Sequence, residues 1–196
     1  MYPLFLKLKD IKCLVIGGGI VAERKVLSLI DSGAAVTLIS PDTTMKLDRL
    51  IELNIIKYCN RLFRAGDTDG FFLVIAATNS IEVNRIIYEE SISTNTLINC
   101  VDDPENCNFY VPAQVRRGDL QVAISTSGKL PLFAGRLRNL FEDILPESIG
   151  EEIERLHQIR TKIITGSKGD PVLKKKKFKT ELEPEIDILI NSTGIK

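Results

Sequence analysis

The sequence predicts an α/β protein with a Rossmann-type, doubly wound parallel sheet, and three observations predict it. A short apolar strand over residues 12–16 runs directly into a glycine turn and then into a helix. A second apolar strand, Ala35–Ile39, follows that helix. Strand and helix patterns then continue in the order β-α-β-α-β-β-α-β to about residue 110, which is typical of a parallel sheet covered by helices.

The turn after the first strand carries the dinucleotide-binding fingerprint G-x-G-x-x-A, with Gly17, Gly19 and Ala22 at its small positions. Gly17 lets the chain turn out of the strand, and Gly19 lets the backbone approach a pyrophosphate. Ala22 lets the helix pack closely on the sheet, so that the pyrophosphate meets free N–H groups at the helix start. The pattern predicts a nucleotide site, and the alternative is a glycine turn with only a structural role.

The following helix and strand complete a β-α-β unit. Val21–Ile30 has apolar residues at helical spacing, and Gly33 is placed to end that helix. The residue after the second strand of such a unit usually binds the adenosine ribose through a carboxylate. Ser40, Pro41 and Asp42 follow here, and Asp42 is the only acid within reach. Because no arginine follows at once to hold a 2′-phosphate, the sequence favours NAD over NADP.

The other elements of this domain are three apolar strands and two helical patterns: Ile55–Cys59, Phe71–Ala76, Leu97–Val101, Thr43–Leu53 and Ser80–Ser91. The strand that begins at Phe71 stops at small residues, Ala77 and Thr78, which leave space at the carboxyl edge of the sheet, where ligands bind. An equally good interpretation makes Thr78 or Asn79 the N-cap of the next helix.

The character of the sequence changes after Val111 and Pro112. A turn at Gly118, a strand, an amphipathic helix broken by Pro146 and a more charged helix are predicted next, over Leu120–Ser125, Leu132–Ile144 and Ser148 to about Ile164. Lys174–Lys177 is a basic run of the kind that usually forms a solvated face, and Ile186–Ile190 can form a short helix. We predict an NAD-binding domain over 1–112, a dimerisation segment over 113–145 and a helical C-terminal domain over 146–196.

Composition excludes several classes of function. The 196 residues carry 26 basic and 26 acidic side chains, so no overall positive charge indicates nucleic-acid binding. No apolar run approaches the ~20 residues of a membrane span, and no signal peptide is recognisable, which predicts a cytoplasmic protein without membrane contact. The four cysteines, Cys13, Cys59, Cys100 and Cys107, form no C-x-x-C pair, so no metal site is predicted.

Asp102 is the best candidate for a catalytic group. The single histidine, His157, lies in a charged helix where a solvated position is expected. Asp102 instead follows an apolar strand, and a carboxylate at the carboxyl edge of a central strand faces the cofactor crevice. Partial burial there would raise its pKa toward the range useful for proton transfer. The alternative is that Asp102 and Asp103, before Pro104, only open a turn.

A second candidate is the loop Ser125–Lys129, between a strand and a helix. Its hydroxyls and glycine predict exposed backbone N–H groups that form an anion nest, which makes Ser125, Thr126, Ser127 and Lys129 candidate substrate-binding residues. Several cations lie nearby in sequence, and together they would suit a substrate with many carboxylates: Arg116, Arg117, Lys129, Arg136 and Arg138.

Five ordered motifs together resemble the precorrin-2 dehydrogenase family, the N-terminal module of siroheme synthase, in its stand-alone form. The resemblance covers roughly residues 1–165 and rests on Gly17–Lys25, Ala76–Thr78, Asn99–Pro104, Phe109–Pro112 and Ile124–Pro131. It implies NAD-dependent oxidation of precorrin-2 to sirohydrochlorin, a step of siroheme biosynthesis, in a homodimer.

The resemblance also implies roles for residues. The essential aspartate of the family falls on Asp102, and its cofactor contacts fall on the turn Gly19, Ile20 and Val21, on the Ser40–Asp42 loop and near Thr78. A serine that is phosphorylated in one subgroup aligns with Thr126, so that modification is not carried over. Two alternatives stay open: an enzyme that also inserts ferrous iron into sirohydrochlorin, and a nucleotide-sensing protein without turnover.

Overall fold

The computed structural model describes residues 1–194, which form two compact units that divide between Val111 and Pro112. The first unit contains five strands, β1 Lys12–Ile16, β2 Ala35–Ile39, β3 Lys57–Cys59, β4 Leu73–Ala76 and β5 Leu97–Cys100, with three helices, α1 Ile20–Asp31, α2 Met45–Glu52 and α3 Ile81–Ser93. All the pairings are parallel, in the order β3-β2-β1-β4-β5. The predicted fold class is therefore confirmed.

The central strand β1 is apolar throughout because both of its faces are buried. Cys13 and Val15 belong to one core cluster, whereas Leu14 and Ile16 belong to the cluster on the opposite face. Alternate residues of a strand point to opposite faces, so a strand covered by helices on both sides reads as a continuous apolar run. Ala22 of α1 is fully buried, as the third small position of the fingerprint requires.

Cys13 and Cys100 are buried free thiols, as expected for small apolar side chains inside a core. Burial raises the pKa of Cys13 to about 11 and that of Cys100 to about 12. Neither thiol is therefore a ready nucleophile, because the thiolate is the reactive form.

The second unit begins with an antiparallel hairpin, β6 Ala113–Arg117 and β7 Leu120–Ile124, followed by the helices α4 Pro131–Ile144, α5 Ile149–Gly166, α6 Pro171–Lys177 and α7 Glu183–Ser192. Its core is built around Val115, Leu145 and Ile149. The sequence pattern did not predict β6, because Val115 is the only fully buried side chain in that strand. The separate roles of 113–145 and 146–196 stay predictions.

The lysine run lies within helix α6. Asp170 caps this helix by accepting hydrogen bonds from the N–H groups of Val172 and Leu173, at 2.9 and 3.1 Å. A π-helical turn over Phe178–Leu182 then leads into α7, which is longer than the short helix predicted from Ile186 to Ile190. Within residues 1–194, no helix combines the length and the apolar character needed to cross a membrane.

Candidate functional site

The glycine turn lies at the carboxyl ends of β1 and β4, where the order of the strands reverses. Ligands of open α/β sheets bind at this switch point. Gly17 has φ +110°, and a Cβ at this residue would lie 2.2 Å from the backbone oxygen of Ala77, which follows β4. Only glycine fits here, and its lack of a side chain lets the turn pack directly against the backbone at the end of β4.

Gly18 is fixed by a different contact. A Cβ at Gly18 would lie 1.9 Å from the backbone oxygen of Asp42, in the loop that follows β2. The fingerprint treats this position as variable, and the run of three glycines is the only sequence signal for its importance. Gly18 therefore lets the loop after β2 lie against the glycine turn.

Gly19 faces open space. It is the exposed N-cap of α1, and no heavy atom lies within 4 Å of the position that a Cβ would take. Among the described residues, no side chain caps this helix. The first N–H groups of a helix have no intrahelical partner and carry the positive end of its dipole. This end of α1 therefore fits the pyrophosphate of a dinucleotide.

Glu23 joins the first turn of α1 to the loop after β2. Its carboxylate accepts a hydrogen bond from Thr44 Oγ1 at 2.6 Å and pairs with Lys46 Nζ at 3.3 Å. The Thr44 hydroxyl, together with Lys46, holds the pKa of Glu23 below its usual value. Thr44 also caps α2 by accepting a hydrogen bond from the Leu47 N–H. The far end of the loop after β2 is thereby attached to helix α1.

The near end of this loop is Ser40–Asp42. Ser40 is buried, and its hydroxyl donates a hydrogen bond of 2.7 Å to the backbone oxygen of Asp42. Pro41 and Asp42 are exposed. The Asp42 carboxylate has no partner within residues 1–194, so it is free to bind a ribose hydroxyl.

Thr78 is braced by helix α3. Its hydroxyl donates to Asn84 Oδ1 at 2.7 Å, and Asn84 Nδ2 donates back to the Thr78 backbone oxygen at 3.2 Å. Ser80 is the N-cap of α3, because its hydroxyl accepts a hydrogen bond from the Val83 N–H. The interpretation that Thr78 or Asn79 caps this helix is therefore wrong. Asn84 is buried, and no sequence signal marked it.

The structure gives Asp102 and Asp103 different roles. Asp103 caps a short 3-10 turn, Pro104–Asn106, and accepts a 2.6 Å hydrogen bond from Asn106 Nδ2. Asp102 has φ +60°, is exposed, and makes no hydrogen bond to any residue that the structure describes. Both residues thus lie in turns, but only the Asp103 carboxylate is used as a cap, and the carboxylate of Asp102 remains available. The described residues leave this carboxylate exposed.

The loop Ser125–Lys129 uses its backbone N–H groups internally. Ser125 Oγ accepts from the Ser127 N–H at 3.1 Å, and Thr126 accepts from the N–H groups of Lys129 and Leu130, each at 3.0 Å. These three N–H groups have internal acceptors, and the anion nest stays a prediction for the rest of the loop. The side chains of Ser127 and Lys129 are exposed, so a contribution of this loop to substrate binding stays a prediction.

Three of the predicted cations are engaged within the second unit. Arg116 Nε donates to the backbone oxygen of Gly118 at 3.4 Å. Arg117 donates to the backbone oxygens of Leu145 and Glu142, each at 3.0 Å. Arg138 bonds to Asn139 and pairs with Glu142. Lys129 and Arg136 are exposed, as is His157 on α5.

Comparisons with known proteins match both units. The model of an NAD(P)-binding family matches residues 4–113, and the model of the central region of a sirohaem biosynthesis protein matches residues 117–144. A siroheme synthase of Methylobacillus flagellatus is 42% identical over 148 residues, which is 76% of this chain and 32% of that protein. A siroheme synthase of Acinetobacter baylyi is 35% identical over 164 residues, 83% of this chain and 36% of that protein.

A solved structure described as SirC, precorrin-2 dehydrogenase, is similar over 99% of this chain and 100% of its own, with a TM-score of 0.75 and 25% identity. The chain belongs to the NAD(P)-binding family whose model matches residues 4–113. The siroheme synthases and the SirC structure support its resemblance to precorrin-2 dehydrogenases. The chain spans about a third of the length of the curated siroheme synthases that it matches.

Membership of the NAD(P)-binding family implies a nicotinamide cofactor, and the residues at the switch point fit one. The uncapped start of α1 at Gly19 would hold the pyrophosphate, and Asp42 would hold the ribose. The small residues Ala77 and Thr78 leave room at the end of β4. The resemblance predicted from the five motifs is thus confirmed, whereas the individual cofactor-binding and substrate-binding residues stay proposals.

Proposed function

We propose that this chain oxidises precorrin-2 to sirohydrochlorin with NAD, as a homodimer, in siroheme biosynthesis. The observation that carries this proposal is the arrangement at the carboxyl edge of the sheet. An open, uncapped helix start follows β1, and the unpartnered carboxylate of Asp102 follows β5 at the same edge. A dinucleotide and a proton acceptor can therefore serve one reaction there.

Different residues at this edge of the sheet bind different parts of the dinucleotide. The N–H groups of Ile20 and Val21 at the start of α1 bind the pyrophosphate, since the first N–H groups of a helix lack internal partners. The backbone at Ala77 and Thr78 borders the nicotinamide half. Bound NAD supplies the hydride acceptor. Such positioning of reacting groups is the main contribution that a protein makes to hydride transfer.

Asp102 accepts the proton that leaves when the tetrapyrrole loses a hydride. Its exposed position on a left-handed turn presents the carboxylate to a bound substrate. Precorrin-2 bears eight carboxylates, which suits the exposed cations Lys129 and Arg136.

Cofactor choice is assigned to Asp42. Its carboxylate accepts a hydrogen bond from the ribose 2′-hydroxyl of NAD and repels the 2′-phosphate of NADP. Lys46, the next cation along the chain, pairs with Glu23 at 3.3 Å. A cytoplasmic location remains a prediction of the sequence.

Replacement of Asp42 by asparagine is expected to lower kcat/KM for NAD about tenfold, because a hydrogen bond to a charged group contributes ~1.5 kcal/mol or more. The value for NADP should stay unchanged or rise. Steady-state kinetics with both cofactors measures this change, with Asp69→Asn, an exposed carboxylate before β4, as control. An unchanged preference in Asp42→Asn would exclude Asp42 as the selecting group.

The activity itself is tested by supplying precorrin-2 and NAD and following NADH absorbance. Formation of NADH with sirohydrochlorin supports the proposal. Binding of NAD without turnover would instead support the nucleotide-sensing alternative. Ferrous or cobaltous ion added to the completed reaction then tests for metal insertion, through the spectrum of a metallochlorin.

The homodimer is assigned to the segment 113–145. Helix α4 leaves Leu132, Phe133 and Leu140 exposed by 71%, 49% and 54%. We expect a dimer mass by light scattering at micromolar concentration and a monomer mass for Leu140→Asp, because a buried unpaired carboxylate opposes association. Val172→Asp, at a position 77% exposed on α6, is the matched control. A wild-type monomer would contradict this assignment.

A further inference from the structure

Ser40 holds the loop after β2 through hydrogen bonds of its hydroxyl, its backbone oxygen and its N–H group. Its hydroxyl donates to the Asp42 backbone oxygen at 2.7 Å, and its own backbone oxygen accepts from Tyr58 Oη at 3.0 Å. Its N–H donates to the backbone oxygen of Cys59 at 3.2 Å. The side chain is 5% exposed. Ser40 is thus fully used inside the protein and has no surface to offer a cofactor.

The Asp42 backbone oxygen is held from two directions. The Ser40 hydroxyl binds it from one side, and the Cα of Gly18 closes on it so tightly that a Cβ would lie 1.9 Å away. Beyond Asp42, the Thr43 hydroxyl donates to Asp48, and the Thr44 hydroxyl donates to Glu23 at 2.6 Å. The exposed Asp42 carboxylate therefore projects from a short stretch of chain with fixed ends.

We propose that Ser40 is a positioning residue that sets the preference for NAD over NADP by fixing Asp42 against the glycine turn. This inference rests on the proposed nucleotide-binding function. Without the hydroxyl, the Asp42 carbonyl loses its donor, and the loop is free to move away from Gly18. The carboxylate then loses its alignment with the ribose 2′-hydroxyl, and its repulsion of a 2′-phosphate weakens with distance.

The test is the binding of NAD and of NADP to the purified protein by calorimetry, which needs no substrate. Ser40→Ala is expected to reduce the ratio of Kd for NADP to Kd for NAD about fivefold, the range of one hydrogen bond. Tyr58→Phe should shift the ratio in the same direction by less, and it provides the test if Ser40→Ala does not fold. Ser32→Ala, which removes an exposed serine hydroxyl that donates to Ser28 at 2.9 Å, should leave the ratio unchanged.

A double variant separates positioning from direct contact. In an Asp42→Asn background, Ser40→Ala should leave the ratio within about twofold of that background, because the group that Ser40 positions is already altered. Equal weakening of NAD and NADP by Ser40→Ala would show that the hydroxyl contacts the shared part of the cofactor, and would overturn the inference. An unchanged ratio in both Ser40→Ala and Tyr58→Phe would overturn it too. Failure of the wild-type protein to bind either cofactor would instead remove the proposed function itself.

Discussion

Replacing Asp102 with asparagine is expected to lower kcat on precorrin-2 by ~10²-fold or more, because the variant loses its general base. The fold should be unchanged. Asparagine adopts the left-handed conformation of this residue, φ +60°, readily. Within the described part of the chain, the Asp102 carboxylate also has no hydrogen bond to lose. Calorimetry should therefore find the NAD affinity preserved while NADH formation falls.

Asp103→Asn provides the matched control for this experiment. Asparagine is as good an N-cap as aspartate, but it lacks the second oxygen, which accepts from Asn106 Nδ2. The change should therefore cost about 1 kcal/mol of stability, with little effect on turnover. His157→Ala should leave the rate nearly unchanged, since this residue is exposed on α5 of the second unit. Full activity of Asp102→Asn would make Asp102 a turn residue and would remove it from the mechanism.

Gly19→Asp is expected to weaken NAD binding by at least ~10²-fold while leaving the protein folded. Gly19 is the N-cap of α1 with extended backbone, and aspartate is among the best N-cap residues. Its carboxylate would accept hydrogen bonds from the N–H groups that otherwise bind the pyrophosphate. It would also repel the negatively charged pyrophosphate, and such like-charge contacts cost several kcal/mol. The melting temperature should therefore stay constant or rise as affinity is lost, which distinguishes this variant from one that merely unfolds.

Gly19→Ala separates the effect of the charge from that of a side chain. Apart from Gly19 and its two chain neighbours, the described residues place no heavy atom within 4 Å of the Cβ position, so alanine fits the free protein. It should reduce NAD affinity less than aspartate does, because it blocks the approach of the ligand but adds no charge. Wild-type NAD affinity in a folded Gly19→Asp protein would show that the cofactor does not bind at this helix.

The sequence predicted most of the first unit because its signals are local. Strands buried on both faces read as apolar runs, as in Leu73–Ala76, and the glycine turn is defined by neighbouring residues. The predicted ends of strands were less accurate where a turn separates a strand from the preceding helix. The strand predicted from Ile55 begins at Lys57, because Asn54 takes a left-handed turn with φ +54° after α2.

In the second unit, the local signal was weaker. Strand β6 has little alternation of apolar residues in its own sequence. It is defined by its pairing with β7, in which Val115 lies opposite Val122. The internal hydrogen bonds of the loop Ser125–Lys129 were not predicted for a related reason. Hydroxyls and a glycine predict a tight loop, but the acceptors that its N–H groups find depend on the folded path of Ser125–Leu130.

By itself, the sequence determined the parallel α/β fold, the nucleotide fingerprint and the family, because apolar periodicity and the spacing of motifs are properties of short segments. Only the tertiary structure decided that Gly18 meets Asp42, that the Ser40 hydroxyl faces inward, and that Asp102 rather than Asp103 keeps a free carboxylate. The contact of Gly18 with Asp42 joins residues far apart in sequence. The roles of Ser40, Asp102 and Asp103 depend on backbone conformation and on the hydrogen-bond partners that the fold brings within reach. Residue type fixes what a side chain can do, and folding decides which partner it meets.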